Sequence, residues 1–413
     1  MRKIQAKVDK EGRLVLPEDL VSQYGLKPGA QVLIDEKATG LHVHTPADHL
    51  GKVYIEPTNG CNLRCVTCVR NVWDEPLGLM ESRTFARIIK GLKDFSPPPM
   101  VFFGGFGEPL SHPNIIDMVR QVKAIGSRVE LITNGTLLTP DTSKGLISAG
   151  LDMLWISLDG ASPESYADVR LGATLPDVLA NMTAFRRACR GDFFFPEPSI
   201  GIVFVAMKRN IADLPSILGI ANRFQATRIL VTNVLPYAAD MCQEMLYLRA
   251  LNDIVYAPSP FRLDLPKINV DSVTYDSLYH ALRNWRTVDF AGGDLSESTN
   301  RCPFIESGAA AVSWEGNMSP CLPLLHSYVT YLHDTERSLK RHVVGNVNER
   351  SLCDLWHTPD YVAFRERVQE FDFSPCTSCG GCDLFESNEE DCFGNKFPTC
   401  GACLWGQGVI QCP

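Results

Sequence analysis

Cys61-Asn62-Leu63-Arg64-Cys65-Val66-Thr67-Cys68 is the stretch from which the rest of the chain can be read. Its three thiols, at spacings of four and three residues, can wrap one cubane iron–sulfur cluster and leave the fourth iron without a protein ligand. A small molecule with an amine and a carboxylate can chelate that open iron, and an electron can then pass inward to it. Zinc is the competing reading, although structural zinc normally takes four protein ligands. The triplet alone leaves both open. Its position favours the cluster, because it follows a short apolar strand at 52–56 and a Pro57-Thr58-Asn59-Gly60 turn.

That strand is the first of a series. From residue 52 to about residue 257, short apolar runs at 52–56, 100–103, 128–133, 153–157, 200–205 and 228–233 read as strands. Helical patterns at 82–93, 115–125, 139–149, 176–190 and 211–223 lie between them, and one at 242–256 follows the last. Six βα units predict an α/β fold with a parallel sheet and helices outside it. Six is short of the eight that close a full barrel, so an open, partial (β/α)6 barrel is expected, with function at the C-terminal ends of its strands.

Composition sets the outer limits. The 413 residues are 45% hydrophobic and 21% charged, ordinary values for a soluble protein with a core. The net charge of −9 argues against a nucleic-acid binder that works by neutralising phosphates. The N-terminal stretch shows no apolar run after a basic start, and no stretch is long and apolar enough for a membrane span. Neither a signal peptide nor membrane association is therefore expected, and the reducing cytoplasm is the expected compartment. Disulfides are unfavoured there, so the 15 cysteines need another account. Cys189, Cys242 and Cys353 stand alone and read as buried, small apolar thiols. The other cysteines fall into the front triplet and a dense C-terminal set, for which metal or iron–sulfur ligation is the better reading.

Residues 1–50 form a separate unit. Val8 to Pro17 alternates apolar and polar residues before a proline that fits a helix start; 25–29 is a turn, and 32–35 begins another strand. This pattern resembles the swapped hairpin of AbrB-type regulators, which dimerise and bind DNA through basic faces. Here seven Lys/Arg are balanced by seven Asp/Glu, so the unit is read as a docking module or homodimer contact and not a DNA reader. Residues 51–257 carry the barrel, 258–300 a polar connection with a helix near 275–285, and 301–413 a second cysteine-rich domain.

The triplet and the segments after it resemble the radical SAM superfamily, over residues 52–257. Gly104-Gly105-Phe106-Gly107-Glu108-Pro109, at the end of the second strand, looks like the family's GGEP motif, and the resemblance assigns Gly105, Gly107 and Glu108 to the S-adenosylmethionine (SAM) amino group. Asn134 ends the third strand; Ser157 and Asp159 end the fourth; the resemblance puts all three near the ribose hydroxyls. Arg170 resembles the family arginine that pairs with the SAM carboxylate, a role suited to a bidentate guanidinium. Val203 and Val205 are placed beside the adenine on the same ground, although both also read as ordinary core residues. Thr67 departs from the pattern, since many members have an aromatic residue just before the third cysteine.

In the second domain, Cys302, Gly316 and Cys321 resemble the opening of a SPASM extension, which carries auxiliary [4Fe–4S] clusters. Cys376, Cys379, Cys382, Cys392, Cys400, Cys403 and Cys412 follow, so nine thiols face the eight that two fully ligated cubanes need. Two auxiliary clusters are expected; the pairing of ligands stays open, and zinc knuckles remain the alternative. Residues 54–61, 68–73 and 389–412 further resemble the radical SAM maturases of tungsten-cofactor oxidoreductases. That resemblance implies a tungsten-dependent oxidoreductase or its cofactor as client, a low-potential donor such as ferredoxin or flavodoxin, and reductive cleavage of SAM to a 5′-deoxyadenosyl radical. A ribosomal-peptide maturase and a formylglycine-forming enzyme share this machinery. A redox-sensing DNA-binding regulator is disfavoured by the acidic balance and the full run of SAM motifs.

Overall fold

The computed structural model describes residues 4–37, 40–191, 197–252, 267–283, 288–290, 300–379 and 381–413. The N-terminal unit contains two antiparallel hairpins, β1 (Lys7–Val8) with β2 (Leu14–Val15) and β3 (Ile34–Lys37) with β4 (Gly40–Val43). Between them lies the helix Glu18–Gln23, which Pro17 opens as expected. Val8, Leu14, Val15, Leu41 and Val43 are exposed on these hairpins.

The central sheet begins with β5 (Lys52–Ile55), β6 (Met100–Phe103), β7 (Val129–Thr133), β8 (Met153–Ser157), β9 (Ser199–Ala206) and β10 (Arg228–Asn233). These six strands lie side by side, all parallel. Their side chains are buried on both faces, which is why they read as continuous apolar runs and not as alternations. The helices cover the outside. In Ser82–Leu92, Phe85, Ile88, Ile89 and Leu92 share one buried face. Pro140 and Pro163 each start a helix, capped by Thr139 and Ser162.

The sheet extends past the expected six. β11 (Val288–Phe290) pairs parallel with β10, and β12 (Ala309–Val312) pairs parallel with β5 at the opposite edge. β13 (Asn317–Ser319) then continues antiparallel from β12; β14 (Tyr328–Leu332) and β15 (Thr335–Leu339) form a separate hairpin; β16 (Gly345–Asn346) ends the large sheet beside β13. Among the described residues the order β11-β10-β9-β8-β7-β6-β5-β12-β13-β16 does not close on itself, so the barrel is open there, with eight parallel strands and not six.

A second correction concerns the helix expected at 242–256. The chain instead makes a 3₁₀ turn at Ala239–Glu244 and a short helix at Leu248–Asn252; residues 253–256 lie outside the described set. Tertiary bonds take the backbone between the two pieces: the Leu246 carbonyl accepts from Asn269 N–H, and Glu244 accepts from Lys208 N–H. Of the connection at 258–300, residues 267–283, 288–290 and 300 are described, including the helix Tyr275–Arg283. Cys189 and Cys242 are buried as expected, but Cys353 is only half-buried, beside His357.

The C-terminal tail bridges β10 and β5. Asn233 and Thr232 of β10 bond to Val409 and Gln411, while Lys52 and Tyr54 of β5 both donate to the Pro413 carbonyl. Burial brings Lys52 down to about 8. Among the described residues no helix is long and apolar enough to cross a membrane.

Candidate active site

The cluster loop leaves the C-terminal end of β5 and is held rigidly. Thr58 donates to Gly78 O at 2.6 Å and accepts from Gly60 N–H at 2.9 Å; Asn59 bonds to both Pro76 O and Gly78 N. Each of the three sulfurs meets a donor. Leu63 N–H and Asn134 Nδ2 face Cys61 Sγ at 3.4 and 3.8 Å, Arg170 Nη1 faces Cys65 Sγ at 3.8 Å, and Arg70 Nε faces Cys68 Sγ at 3.4 Å. Arg70 is further tied to Asn59 O and Leu63 O, so its head is fixed inside the loop. Burial pushes the Cys61 and Cys65 thiols up; at Cys61 the Leu63 N–H works the other way, as the Arg170 guanidinium does at Cys65. Donors aimed at three sulfurs suit thiolates that bind a metal cluster.

The Gly-rich turn after β6 presses against this loop. Gly105 has φ +140°, and a Cβ on it would come within 2.8 Å of Glu56; a Cβ on Gly107 would lie 2.0 Å from Thr58 O. Glu108 is buried and spans two strand ends: it accepts from Leu110 N–H, Thr133 Oγ1 and Asn134 N–H, at 3.0, 2.8 and 2.8 Å. Burial raises the Glu108 carboxyl, against the pull of these bonds. Asn134 also bonds to Asn62 of the cluster loop at 2.9 Å. Ser157 is buried at the end of β8, with Val203 buried and Val205 half-buried on neighbouring β9.

Arg170 does meet a carboxylate, but that of Asp159. Its Nε and Nη2 lie 2.7 and 2.6 Å from Asp159 Oδ2, while Oδ1 takes the Val205 N–H at 2.8 Å. Burial opposes the charge on Arg170, yet Asp159 and then Cys65 outweigh it and hold the guanidinium firmly protonated. Asp159 and Arg170, read as lying near the ribose and as pairing with the SAM carboxylate, form one buried unit beside Cys65.

Sequence reasoning missed a second group at the mouth. His326 is buried between two carboxylates, its Nε2 2.8 Å from Glu56 Oε2 and its Nδ1 2.5 Å from Glu75 Oε2. Glu56 also accepts from Phe106 N–H of the Gly-rich turn at 3.1 Å. Trp73 packs on His326 with ring centres 4.5 Å apart and on Phe106 at 5.0 Å. Burial works against protonation of His326, but Glu56 and then Glu75 prevail and raise it above its usual value. A glutamate directly before the Pro57 turn was the one sequence signal available.

The C-terminal cysteines divide in two. Cys302, Cys321, Cys400 and Cys403 line one apolar cavity together with Phe304, Tyr328 and Trp405. Burial carries the Cys302 thiol up to about 12, with Cys403 adding to it, and the Cys321 and Cys400 thiols rise for the same reasons. Burial also raises the Cys412 thiol, with Lys52 pulling against it and Cys403 adding to it. Cys376 lies near Cys392, with Cys379, Cys382 and Cys392 exposed. Arg337 is buried between the two groups; it donates to Phe385 O and Ala402 O and faces both Cys403 and Cys376. Four buried thiols around one cavity, three of them facing backbone N–H groups, fit a metal cluster.

A three-cysteine loop after the first strand of an open parallel barrel, joined to a cysteine-lined second domain, defines the class: the chain belongs to the radical SAM superfamily and is a radical SAM enzyme with a SPASM-type domain. The radical SAM family model matches residues 55–196, and the SPASM iron–sulfur cluster-binding model matches 302–383. Its similarity runs nearly full length to the tungsten-containing aldehyde ferredoxin oxidoreductase cofactor-modifying protein of Pyrococcus furiosus, 32% identical over 364 residues, 87% of this chain and 96% of that protein. It is also 31% identical over 183 residues to the AdoMet-dependent heme synthase of Methanosarcina barkeri, 44% of this chain and 50% of that one. Of solved structures, anSMEcpe with bound AdoMet superposes at TM-score 0.56 and 16% identity, over 87% of this chain and 93% of that one. Streptococcus suis SuiB bound to precursor peptide SuiA gives 0.55 and 15%, over 84% and 72%. These two share the fold.

Proposed function

We propose that this enzyme modifies a tungsten-dependent aldehyde ferredoxin oxidoreductase, or the tungstopterin cofactor of that enzyme. The observation that carries the reading is similarity across 96% of the Pyrococcus furiosus protein, which takes in both the barrel and the cysteine-rich domain. When bound, a [4Fe–4S] cluster supplies the electron that cleaves SAM to a 5′-deoxyadenosyl radical. Cys61, Cys65 and Cys68 would hold that cluster. Asn134, Arg170 and Arg70 would donate to its thiolates, and Gly105 and Gly107 would let the turn before Glu108 lie close to the loop. The Asp159–Arg170 pair would keep a fixed positive charge behind Cys65. The tail at 409–413, bonded to both β10 and β5, would exclude water from below.

In the second domain, Cys302, Cys321, Cys400 and Cys403 would hold one auxiliary cluster and Cys376, Cys379, Cys382 and Cys392 another, leaving Cys412 over. Arg337, between the groups, would offset the negative charge of both. The half-exposed apolar hairpins of residues 1–50 would dock a protein client or a second copy of the chain. A ferredoxin or flavodoxin would deliver the electron. Deleting the gene in an organism that also makes an aldehyde ferredoxin oxidoreductase tests the reading. The oxidoreductase from that strain is expected to be inactive, or to carry a cofactor of altered mass. A fully active enzyme with unchanged cofactor and polypeptide would end the client assignment and leave the radical chemistry standing.

A further inference from the structure

His42 and His44 lie two residues apart where β4 runs out, so their side chains share one face of the strand while Leu41 and Val43 point away into solvent. The shared face meets Glu306, the last residue of the helix Pro303–Glu306 that begins directly after Cys302. His44 Nδ1 is 2.7 Å from Glu306 Oε1, and His42 Nε2 is 3.6 Å from Glu306 Oε2. The two imidazoles stand at 89° with centres 4.7 Å apart, and one ligand atom from each of the three residues falls within 4.8 Å of the others. Among the described residues no other group of histidine, cysteine and carboxylate converges so closely.

Two observations point past a plain hydrogen-bonded cluster. His44 is 1% exposed and has carboxylates at both nitrogens, Glu306 at Nδ1 and Asp35 Oδ2 at 3.1 Å from Nε2. At Nε2 that approach is not a hydrogen bond: the atom is buried and has no hydrogen-bond partner. Meanwhile His42 Nε2 is shut off from solvent and has no hydrogen-bond partner, although the rest of that ring is partly exposed. A cation among His42 Nε2, His44 Nδ1 and Glu306 gives the orphaned His42 Nε2 a partner. With His44 ligating through Nδ1, its Nε2 carries the proton, 3.1 Å from Asp35 Oδ2. Arg301 already holds Asp35 in place at 2.6 Å. A carboxylate behind a ligating histidine is the usual support of such a site.

We infer that His42, His44 and Glu306 form a divalent-metal site, with Asp35 and Arg301 behind it, that pins the second N-terminal hairpin to the segment carrying Cys302. Two imidazoles and one carboxylate suit zinc, which needs donors about 3.3 Å apart at its bond lengths of about 2.0 Å, between the 2.7 and 3.6 Å separations seen here. A fourth position stays open for water. The site involves none of the cysteines and is independent of SAM chemistry.

The test uses the full chain with its iron–sulfur clusters reconstituted anaerobically, then exposed to zinc chloride and freed of loose metal by gel filtration. Iron and zinc are counted in the wild type, in His42→Ala and in Glu306→Gln. His42 is the first choice because its partly exposed ring can be removed without opening the core. Wild type is expected to retain about one zinc more than either variant, with equal iron in all three. Zinc should also slow proteolysis between residues 1 and 50 in the wild type alone. Equal zinc in wild type and both variants, with iron unchanged, would overturn the site and leave a hydrogen-bonded cluster in its place. A variant that lost iron as well would be replaced by His42→Gln, read on the same two counts.

Discussion

Gly107 is where the turn after β6 bears on the cluster loop, and it has no room for a side chain. A Cβ would stand 2.0 Å from Thr58 O and 2.6 Å from Gly60 O, both backbone atoms of that loop. Gly107→Ala must therefore push the loop or the turn aside, at about 1–3 kcal/mol, typical of overpacking. SAM affinity measured by anaerobic calorimetry should fall by roughly tenfold or more, since 1.4 kcal/mol is a factor of ten. Gly219, within the helix Leu214–Arg223, has nothing within 4 Å of a Cβ, so Gly219→Ala should leave affinity alone and stabilise by up to about 1 kcal/mol. Equal losses in the two would contradict the contact. Asp159→Asn leaves the Arg170 guanidinium buried without its anion, a change that typically costs about 3–5 kcal/mol in unfolding free energy. Urea unfolding under nitrogen checks it, and a loss below about 1 kcal/mol would show that the pair is not coupled as described. At this scale the sequence was readable where residues cluster along the chain and silent where they do not. Cys61, Cys65 and Cys68 announce themselves by spacing. Glu56 and His326, 270 positions apart, have no spacing to read.

Among the elements, His326 fastens three: the end of β5 through Glu56, the loop after the cluster cysteines through Glu75, and the segment before β14 that carries it. Its folded-state value is raised above 6.5, so the stability it contributes is fully present below about pH 6.5 and is lost as pH rises through the raised value. Charge-assisted bonds of this kind are worth about 1.5–3 kcal/mol. The urea midpoint of the wild type should fall more steeply from about pH 6 to about pH 9 than that of His326→Gln. Parallel curves would remove the imidazolium from the account. The elements the sequence missed share a cause. β12 reads Ala-Ala-Ala-Val, with a single β-branched residue, and becomes a strand because β5 offers an unpaired edge. β11 is three residues long and is recruited in the same way by β10. The helix expected at 242–256 failed in reverse, as tertiary bonds at Leu246 outbid local propensity.

For the molecule as a whole, the division into a cysteine loop on a barrel and two further cysteine groups yields a count. Three cubanes predict roughly twelve irons per reconstituted chain, and replacing Cys61, Cys65 and Cys68 by Ala should leave about eight. Zinc in place of the residual iron would show that the second domain had been misread. The six apolar runs foretold the barrel because buried parallel strands must be apolar on both faces. The way the second domain extends the barrel was not legible, since β12 and the tail at 409–413 reach it only through long-range pairing. The account rests on one chemical act at one site, and 5′-deoxyadenosine formation measures it directly. With reductant and SAM under anaerobic conditions, the wild-type chain is expected to release 5′-deoxyadenosine and methionine, and the triple Cys61/Cys65/Cys68→Ala chain to release neither. Formation at the wild-type rate by the triple variant would contradict the assignment of those cysteines and the mechanism built on them.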